Sequence, residues 1–214
     1  MEAAAPPRAL TRVKVVDCGR TGYSAMLADM RRFTAGRDEA TPDQIWLTEH
    51  DPVYTLGLAA SMEHVLDAGG TPVVQADRGG QVTWHGPGQA VIYLLVDLAR
   101  RGIRVREMVH DIESAVISTL AAWQVGGSRR SGMPGVYVGE AKIAALGLKV
   151  SRGRCYHGVS LNVDCDLTPF RGIHPCGYPG LESTSLAALG VSASMPEVRA
   201  RLADELVHTL ESHE

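Results

Sequence analysis

The sequence predicts an α/β (α+β) protein built on a mixed sheet with flanking helices. Three observations carry that expectation. Residues 89–96 form a nearly unbroken apolar run, the pattern of a strand covered on both faces. Residues 105–123 place Val105, Met108, Val109, Ile112, Val116, Leu120 and Trp123 on one helical stripe, with Arg106, Glu107, Asp111 and Glu113 turned away. Strands and helices then mix without strict alternation, which argues against a doubly wound sheet.

The remaining elements follow in chain order. Residues 13–17 read as a short edge strand, and residues 23–33 as a helix with Met26, Leu27, Met30 and Phe33 on one face. Residues 44–48 are the first core strand, stopped before Pro52. Residues 71–75 make another short one. Gly126-Gly127 ends the long helix, and residues 135–138, 142–150 and 157–163 read as strands joined by turns at Gly139-Glu140 and Gly153-Arg154. The last helix opens with a capping box from Ser194 to Glu197 and carries Val198, Leu202, Leu206 and Leu210. No repeat or linker divides the chain, so residues 13–211 are expected to form a single domain behind a flexible tail at residues 1–12.

Composition narrows the function classes. With 45% hydrophobic and 21% charged residues the chain reads as a soluble globular protein, and with aromatics at 5% its core must be mostly aliphatic. A net charge of -3 offers nothing global to offset phosphate repulsion, against a general nucleic-acid binder. No apolar run approaches the ~20 residues of a membrane span. The opening Met1-Glu-Ala-Ala-Ala-Pro-Pro7 lacks the basic and apolar regions of a signal peptide, so a cytoplasmic location is expected. Cys18, Cys155, Cys165 and Cys176 are not spaced as a compact secreted framework, and a reducing compartment would keep them as thiols.

Lys142 and Cys176 carry the sharpest chemical signal. Cys176 lies between Pro175 and Gly177, a turn where little bulk hinders approach to sulfur. A lysine brought near it would favour thiolate over thiol, or accept its proton. Such a pair suits acyl transfer through a thioester, because the nucleophile needs activation. The bland fate of a free cysteine is to be a small buried hydrophobe. Cys18, at the end of an apolar strand, fits that fate well, Cys155 and Cys165 moderately, and Cys176 poorly. Lys142 has the apolar company of Ile143, Ala144, Ala145 and Leu146, which disfavours a solvated strand edge.

The glycine-rich stretch from Arg78 to Gln89 is the second dense segment. Its glycines let backbone N–H groups approach a ligand, Arg78 offers a charged fork, and Trp84 beside His85 offers an apolar wall. A hairpin whose glycines serve only turns explains these residues equally well. No Walker lysine follows, which excludes a P-loop. Cys155, His157, Cys165, His174 and Cys176 crowd a short span, but without a zinc-type Cys-x2-Cys pair. No Gly-x-Ser-x-Gly elbow offers a serine route.

In order along the chain occur Glu49-His50-Asp51-Pro52-Val53-Tyr54-Thr55-Leu56-Gly57, the Arg78 to Gln89 stretch, Lys142-Ile-Ala-Ala-Leu-Gly147, His157-Gly158-Val159-Ser160-Leu161-Asn162, Asp166-Leu167, Pro175-Cys176-Gly177 and Thr184-Ser185-Leu186. Through them the chain resembles the bacterial octanoyltransferases of lipoate biosynthesis, over nearly its whole length. The resemblance implies a biotin/lipoate protein ligase-like catalytic domain. It implies an octanoyl group moved from acyl carrier protein to a lysine of a lipoyl domain, in 2-oxoacid dehydrogenase complexes and the glycine cleavage H protein. Cys176 would be the acyl-thioester nucleophile and Lys142 its activating partner. Substrate would meet Arg78, Gly79, Gly80, Gln81, Val82, Thr83, Trp84 and His85, then Ala145, Leu146 and Gly147, then Gly158, Val159 and Ser160.

No cofactor, metal, nucleic acid or membrane enters this picture, and a monomer is expected. Whether His85, His157 or His174 assists stays open. Two departures from the family pattern bear on partner preference. Leu58-Ala59-Ala60-Ser61 is more apolar than expected after Gly57, which would reshape a loop near the site mouth, and His174 precedes Pro-Cys-Gly where Asp, Asn or an aliphatic residue is expected. Arg100, Arg101, Arg104 and Arg106, or Lys149, Arg152 and Arg154, are candidate patches for an acidic carrier. The competing readings are an ATP-dependent lipoate-protein ligase of the same fold and a non-catalytic carrier-binding module.

Overall fold

The computed structural model describes residues 12–174 and 180–213. Its axis is strand β6 (Gln89–Asp97), buried on both faces as the apolar run predicts. Around it runs a seven-stranded sheet in the order β1-β2-β6-β10-β9-β8-β7. The other members are β1 (Lys14–Thr21), β2 (Gln44–His50), β7 (Ser128–Arg130), β8 (Met133–Val138), β9 (Ala141–Ser151) and β10 (Arg154–Asn162). β1 is parallel to β2, and every other neighbouring pair is antiparallel. A smaller sheet holds β4 (Val73–Gln75), β3 (Val53–Leu56) and β5 (Val82–His85), with β3 in the middle.

Alternation along β6 sorts its side chains into two cores. Ile92, Leu94 and Val96 face helices α3 (Val105–Ala121) and α4 (Met195–Glu211), meeting Met108, Ile112, Val116 and Leu120 from one and Val198, Leu202, Leu206 and Leu210 from the other. Val91, Tyr93 and Leu95 face α1 (Tyr23–Gly36), which contributes Met26, Leu27 and Met30. α4 begins at the expected capping box: Ser194 Oγ accepts the Glu197 N–H, and Glu197 Oε2 accepts the Ser194 N–H. The small sheet packs Tyr54, Leu56, Val82 and Trp84 on Phe170 and Ile173. Among the described residues no helix is long and apolar enough to cross a membrane.

Several readings change. β3, β5 and β7 were not expected; at three or four residues they carry little alternation, and unlike β4 they do not fall in a segment that reads as a strand. Glu113 does not face solvent with its neighbours on α3; it is buried. Cys18 is half-buried on the exposed edge strand, while Cys155 and Cys165 are the buried thiols. Arg101 is no surface charge: its side chain is fully enclosed. The tail expected at residues 1–12 lies outside the described residues up to residue 11.

Asp43, just ahead of β2, takes Arg101 into a buried knot. Its carboxylate accepts from Arg37 at the end of α1, from Arg100 (2.7 Å) and Arg101 (2.6 Å) of α2 (Leu98–Arg101), and from the Asp97 N–H (2.9 Å). Arg37 continues to the Leu95 carbonyl and Arg101 to that of Leu210. Burial alone would raise the Asp43 carboxyl, but the Asp97 N–H and the Arg37 and Arg101 guanidiniums outweigh it and hold it below its ordinary value. Asp43→Asn should therefore cost about 3–5 kcal/mol in urea denaturation at neutral pH, since it strands buried guanidiniums. A depressed carboxyl contributes its full stability above the ordinary range and loses it as pH falls, so the gap between variant and parent should narrow below about pH 4. A variant within 1 kcal/mol of the parent, on the order of a surface pair, would show that the knot is not what holds this end of the sheet.

Candidate active site

A cavity of about 400 Å³ lies between the α1 side of the large sheet and the small sheet and reaches Val105 and Val109 of α3 at its edge. Its floor is Val91 and Tyr93 of β6, Gly158, Ser160 and Asn162 of β10, and Ala145 and Gly147 of β9. Residues 78–83 form the opposite wall, drawn onto β9 by a hydrogen bond from the Gly79 N–H to the Leu148 carbonyl (2.9 Å). That approach requires a glycine at 147, where a Cβ would stand 2.8 Å from the Gly79 oxygen. Arg78 anchors the wall from behind: its Nη2 donates to both the carbonyl and the hydroxyl of Thr55, each at 2.8 Å. The fork expected for a ligand thus fastens the loop to β3.

Lys142 reaches the cavity because β9 is irregular. β8 pairs Tyr137 with Lys142 but Val136 with Ala144, leaving Ile143 as an extra residue. Ile143 and Ala144 both enter the core beneath the helices, and alternation restarts with Ala145 and Gly147 on the cavity side. In a regular strand Lys142 would share the face of Ala144; the bulge returns it to the cavity. There it is 5% exposed, with Nζ donating to the Pro134 carbonyl (3.0 Å) and 5.2 Å from the Tyr137 ring centre. Its backbone N–H donates to the Glu182 carbonyl and its own carbonyl accepts from the Thr184 N–H, both at 2.9 Å. Cys176 lies outside the described residues, seven positions before Ser183, which bridges Lys142.

His157 marks the other end. It sits opposite Leu148, six residues along β9 from Lys142, which at ~3.3 Å per residue is roughly 20 Å. Its φ of 66° is left-handed backbone in mid-strand, at a cost on the order of 1–3 kcal/mol. The reversal turns His157 off the helix-side face of Cys155 and Val159 and onto the face of Tyr156. Consecutive residues then share one carboxylate: Tyr156 Oη donates to Asp77 Oδ2 (2.6 Å) and His157 Nε2 to Oδ1 (2.8 Å), with Arg31 Nε at 2.9 Å. Burial pushes His157 down to about 4, more than Asp77 pulls it up. Burial would raise Asp77, but the hydrogen bonds from His157, Tyr156 and Arg31 hold it at about 2. At neutral pH this is a neutral imidazole donating to a carboxylate, with Nδ1 left as an acceptor.

A polar chain joins the two sheets. His85 Nδ1 donates to Gln89 Oε1 (3.1 Å), Gln89 Nε2 to Asn162 Oδ1 (2.9 Å), and Asn162 Nδ2 to the Thr184 carbonyl (2.8 Å), next to the Lys142 backbone. Burial, then the neighbouring charges of His50 and Arg78, keeps His85 well below its ordinary value. His50 accepts the Tyr93 hydroxyl proton at Nε2 (2.6 Å) and donates from Nδ1 to the Thr21 carbonyl (2.8 Å).

The cavity thus gathers Lys142 with Arg78, Gly79, Gly80, Gln81, Val82, Thr83, His85, Ala145, Leu146, Gly147, Gly158, Val159 and Ser160. Trp84 is the exception. Its indole points into the small-sheet core, 5.7 Å from the Phe170 ring centre, because neighbours on β5 take opposite faces. His174 is half-buried beside His64 and does not line the cavity. Tyr23, Tyr93, Asn162, Met133 and Pro134 do, unforeseen as site residues. Only Asn162 and Tyr93 carried a signal, the one inside a quoted motif and the other as the polar member of the apolar run. The loop after Gly57 is pinned to the wall by Leu58 N–H to Arg78 O and Ala59 N–H to Gly80 O. Of the basic patches, Arg100 and Arg154 are tied to Asp43 and Asp97, which leaves Arg104, Arg106 and Arg152 exposed.

A histidine held below its unfolded value contributes stability that is complete above that value and lost as pH falls. For His157 the window runs from 6.5 down to about 4, and His50 and His85 act in the same direction. His157→Gln should remove up to about 1.4 kcal/mol per pH unit from the slope of unfolding free energy in that window. The imidazole itself should stay neutral by NMR at pH 5.5. Titration near 6.5 would mean that burial does not govern this site.

Over residues 22–207 the chain matches the model of the lipoyl protein ligase A/B catalytic domain. It is 49% identical over 227 residues to an octanoyltransferase of Cupriavidus necator, covering 96% of this chain and 85% of that one. An octanoyltransferase of Alkalilimnicola ehrlichii is 51% identical over 207 residues, covering 97% and 95%. Among solved structures, a bi-partite lipoate protein ligase from Thermoplasma acidophilum superposes with a TM-score of 0.76 at 17% identity, over 94% of this chain and 84% of that one. A biotin protein ligase from Aquifex aeolicus gives 0.56 at 11%, over 95% and 72%. At such identities the structures show a shared fold, the biotin/lipoate protein ligase-like domain expected from the sequence. With a family model spanning most of its length and relatives about half identical, the chain belongs to the lipoyl protein ligase A/B catalytic domain family.

Proposed function

We propose that this chain is an octanoyltransferase that moves an octanoyl group from acyl carrier protein to a lysine of a lipoyl domain, through a thioester on Cys176. The observation that carries the reading is Lys142, turned by a bulge into a mainly apolar cavity in a chain about half identical to octanoyltransferases. At ~0.8 kcal/mol per buried CH₂, an eight-carbon chain gains roughly 5 kcal/mol in such a slot, enough to reject short acyl groups. One methylene more or less is a weaker ruler.

The chemistry needs no activating nucleotide, because a thioester already holds the energy of the amide. In the first half-reaction Cys176 thiolate attacks the octanoyl carbonyl. Backbone N–H groups near Leu146 and Gly147, where β9 runs beyond its pairing with β8, are the proposed candidates for stabilising the oxyanion. The C–S bond to the carrier breaks, and the carrier thiol leaves with a proton from Lys142. In the second, the acceptor lysine attacks the acyl-enzyme and gives its proton to Lys142 as Cys176 thiolate departs. A lipoate ligase reading has the fold in its favour, and ATP-dependent labelling that survives loss of Cys176 would select it.

Incubation with octanoyl-carrier alone should load one octanoyl group onto the enzyme by intact mass, release free carrier, and leave an adduct that hydroxylamine strips. A lipoyl domain should then collect the acyl group from the isolated acyl-enzyme. Cys176→Ala should form no adduct. Lys142→Arg should turn over nearly as poorly as Lys142→Ala, since arginine keeps the charge but cannot give up a proton. Intersecting initial-rate lines with no trapped adduct would mean direct transfer in a ternary complex and would sink the nucleophile assignment.

A further inference from the structure

Glu113 stands on the buried side of α3, 7% exposed. One carboxylate oxygen accepts from Arg129 Nε (3.1 Å) and the other from the Gly135 N–H (2.9 Å). That N–H belongs to the same peptide unit as the Pro134 carbonyl, which accepts from Lys142 Nζ at 3.0 Å. A peptide unit is planar, so holding its N–H fixes the direction of its C=O. Gly135 has a φ of 137° and no side chain of its own to hold the plane. A Cβ there would stand 2.9 Å from Lys142 Cε, in the space the lysine stem fills. The carboxylate is then what sets this peptide's orientation from behind the sheet. Arg129 already balances the charge of Glu113, so the distinctive contribution is reach to the N–H rather than negative potential.

We infer that Glu113 is a positioning residue for the reaction: its carboxylate holds the Pro134–Gly135 peptide so that the Pro134 carbonyl aims the Lys142 amine into the cavity. The inference rests on the reading of Lys142 as the proton-transfer group. The route runs from an α3 carboxylate through one peptide to the amine, with no contact between Glu113 and the reacting atoms.

Two variants separate reach from charge. Glu113→Gln can keep its one oxygen on the Gly135 N–H, its NH2 displacing the partly exposed Arg129 toward solvent, and should hold kcat within about threefold. Glu113→Asp keeps the charge one carbon short and should lose kcat at least about tenfold with KM for octanoyl-carrier little changed, as small misplacements of a reacting group do. A purely structural role would lower the melting temperature of both, with no split of kcat from KM and no rescue by glutamine. Equal rates for the two, a glutamine variant slower than the aspartate one, or an aspartate variant that does not fold would each overturn the inference. Lys142→Ala is measured beside them. If it stays active, the functional reading itself falls; if it is inactive while both Glu113 variants match the parent, only the positioning role is lost.

Discussion

One carboxylate organises the end of the sheet on which the site is hung. Asp43 joins the end of α1, the start of β2, the end of β6, α2 and, through Arg101, the last turn of α4. Three arginines on one buried aspartate are expensive to desolvate, and hydrophobic replacements often match such clusters in stability. What the knot supplies is registration, because each guanidinium also reaches a backbone carbonyl: Leu95, Thr41 and Leu210. With these elements fixed relative to β6, the cavity opens on that strand's α1 face, where Val91 and Tyr93 line it.

The cavity ends at two breaks in strand regularity. At one, the extra residue Ile143 redirects Lys142; at the other, the left-handed backbone of His157 redirects an imidazole. Both move a polar side chain from the helix-covered core to the cavity face. Neither could sit on the core face without burying a charge or an imidazole among Cys155, Val159 and Ile143. Local irregularity of this kind is sustained only where the surroundings fix it. Here the Asp77 carboxylate does so for His157, and the Pro134 carbonyl with the strand-like pairing of residues 182–184 does so for Lys142.

The architecture was legible because periodicity reports which elements face a core. The run at 89–96, the stripe of α4 and its Ser194 cap translated directly; the stripe of α3 did so except at Val105, which is 45% exposed. The short strands β3, β5 and β7 did not, though β4 did, and neither did Glu113, Cys18 and Arg101, whose burial depends on partners distant in sequence: Gly135, the sheet edge and Asp43. For the site, motif segments located the walls, while alternation within β5 sent Trp84 the other way. The bulge and the φ reversal left no trace in the sequence pattern, since Ile143 and His157 are ordinary strand residues by type. Tyr23 reaches the cavity only through the docking of α1, which no motif announces.

The pairing of residues 182–184 with Lys142 has a consequence for how the molecule is made. The central strands β2, β6 and β10 are far apart in sequence, so the sheet closes only after Asn162 has left the ribosome. At roughly 5–20 residues per second, the stretch that ties down Lys142 follows a second or more later. During that interval the nascent chain holds β9 without its flanking partner. Vectorial synthesis thus lays down the sheet and the cavity walls before the stretch that ties down the reactive lysine, with α4 following to close the helix-side core.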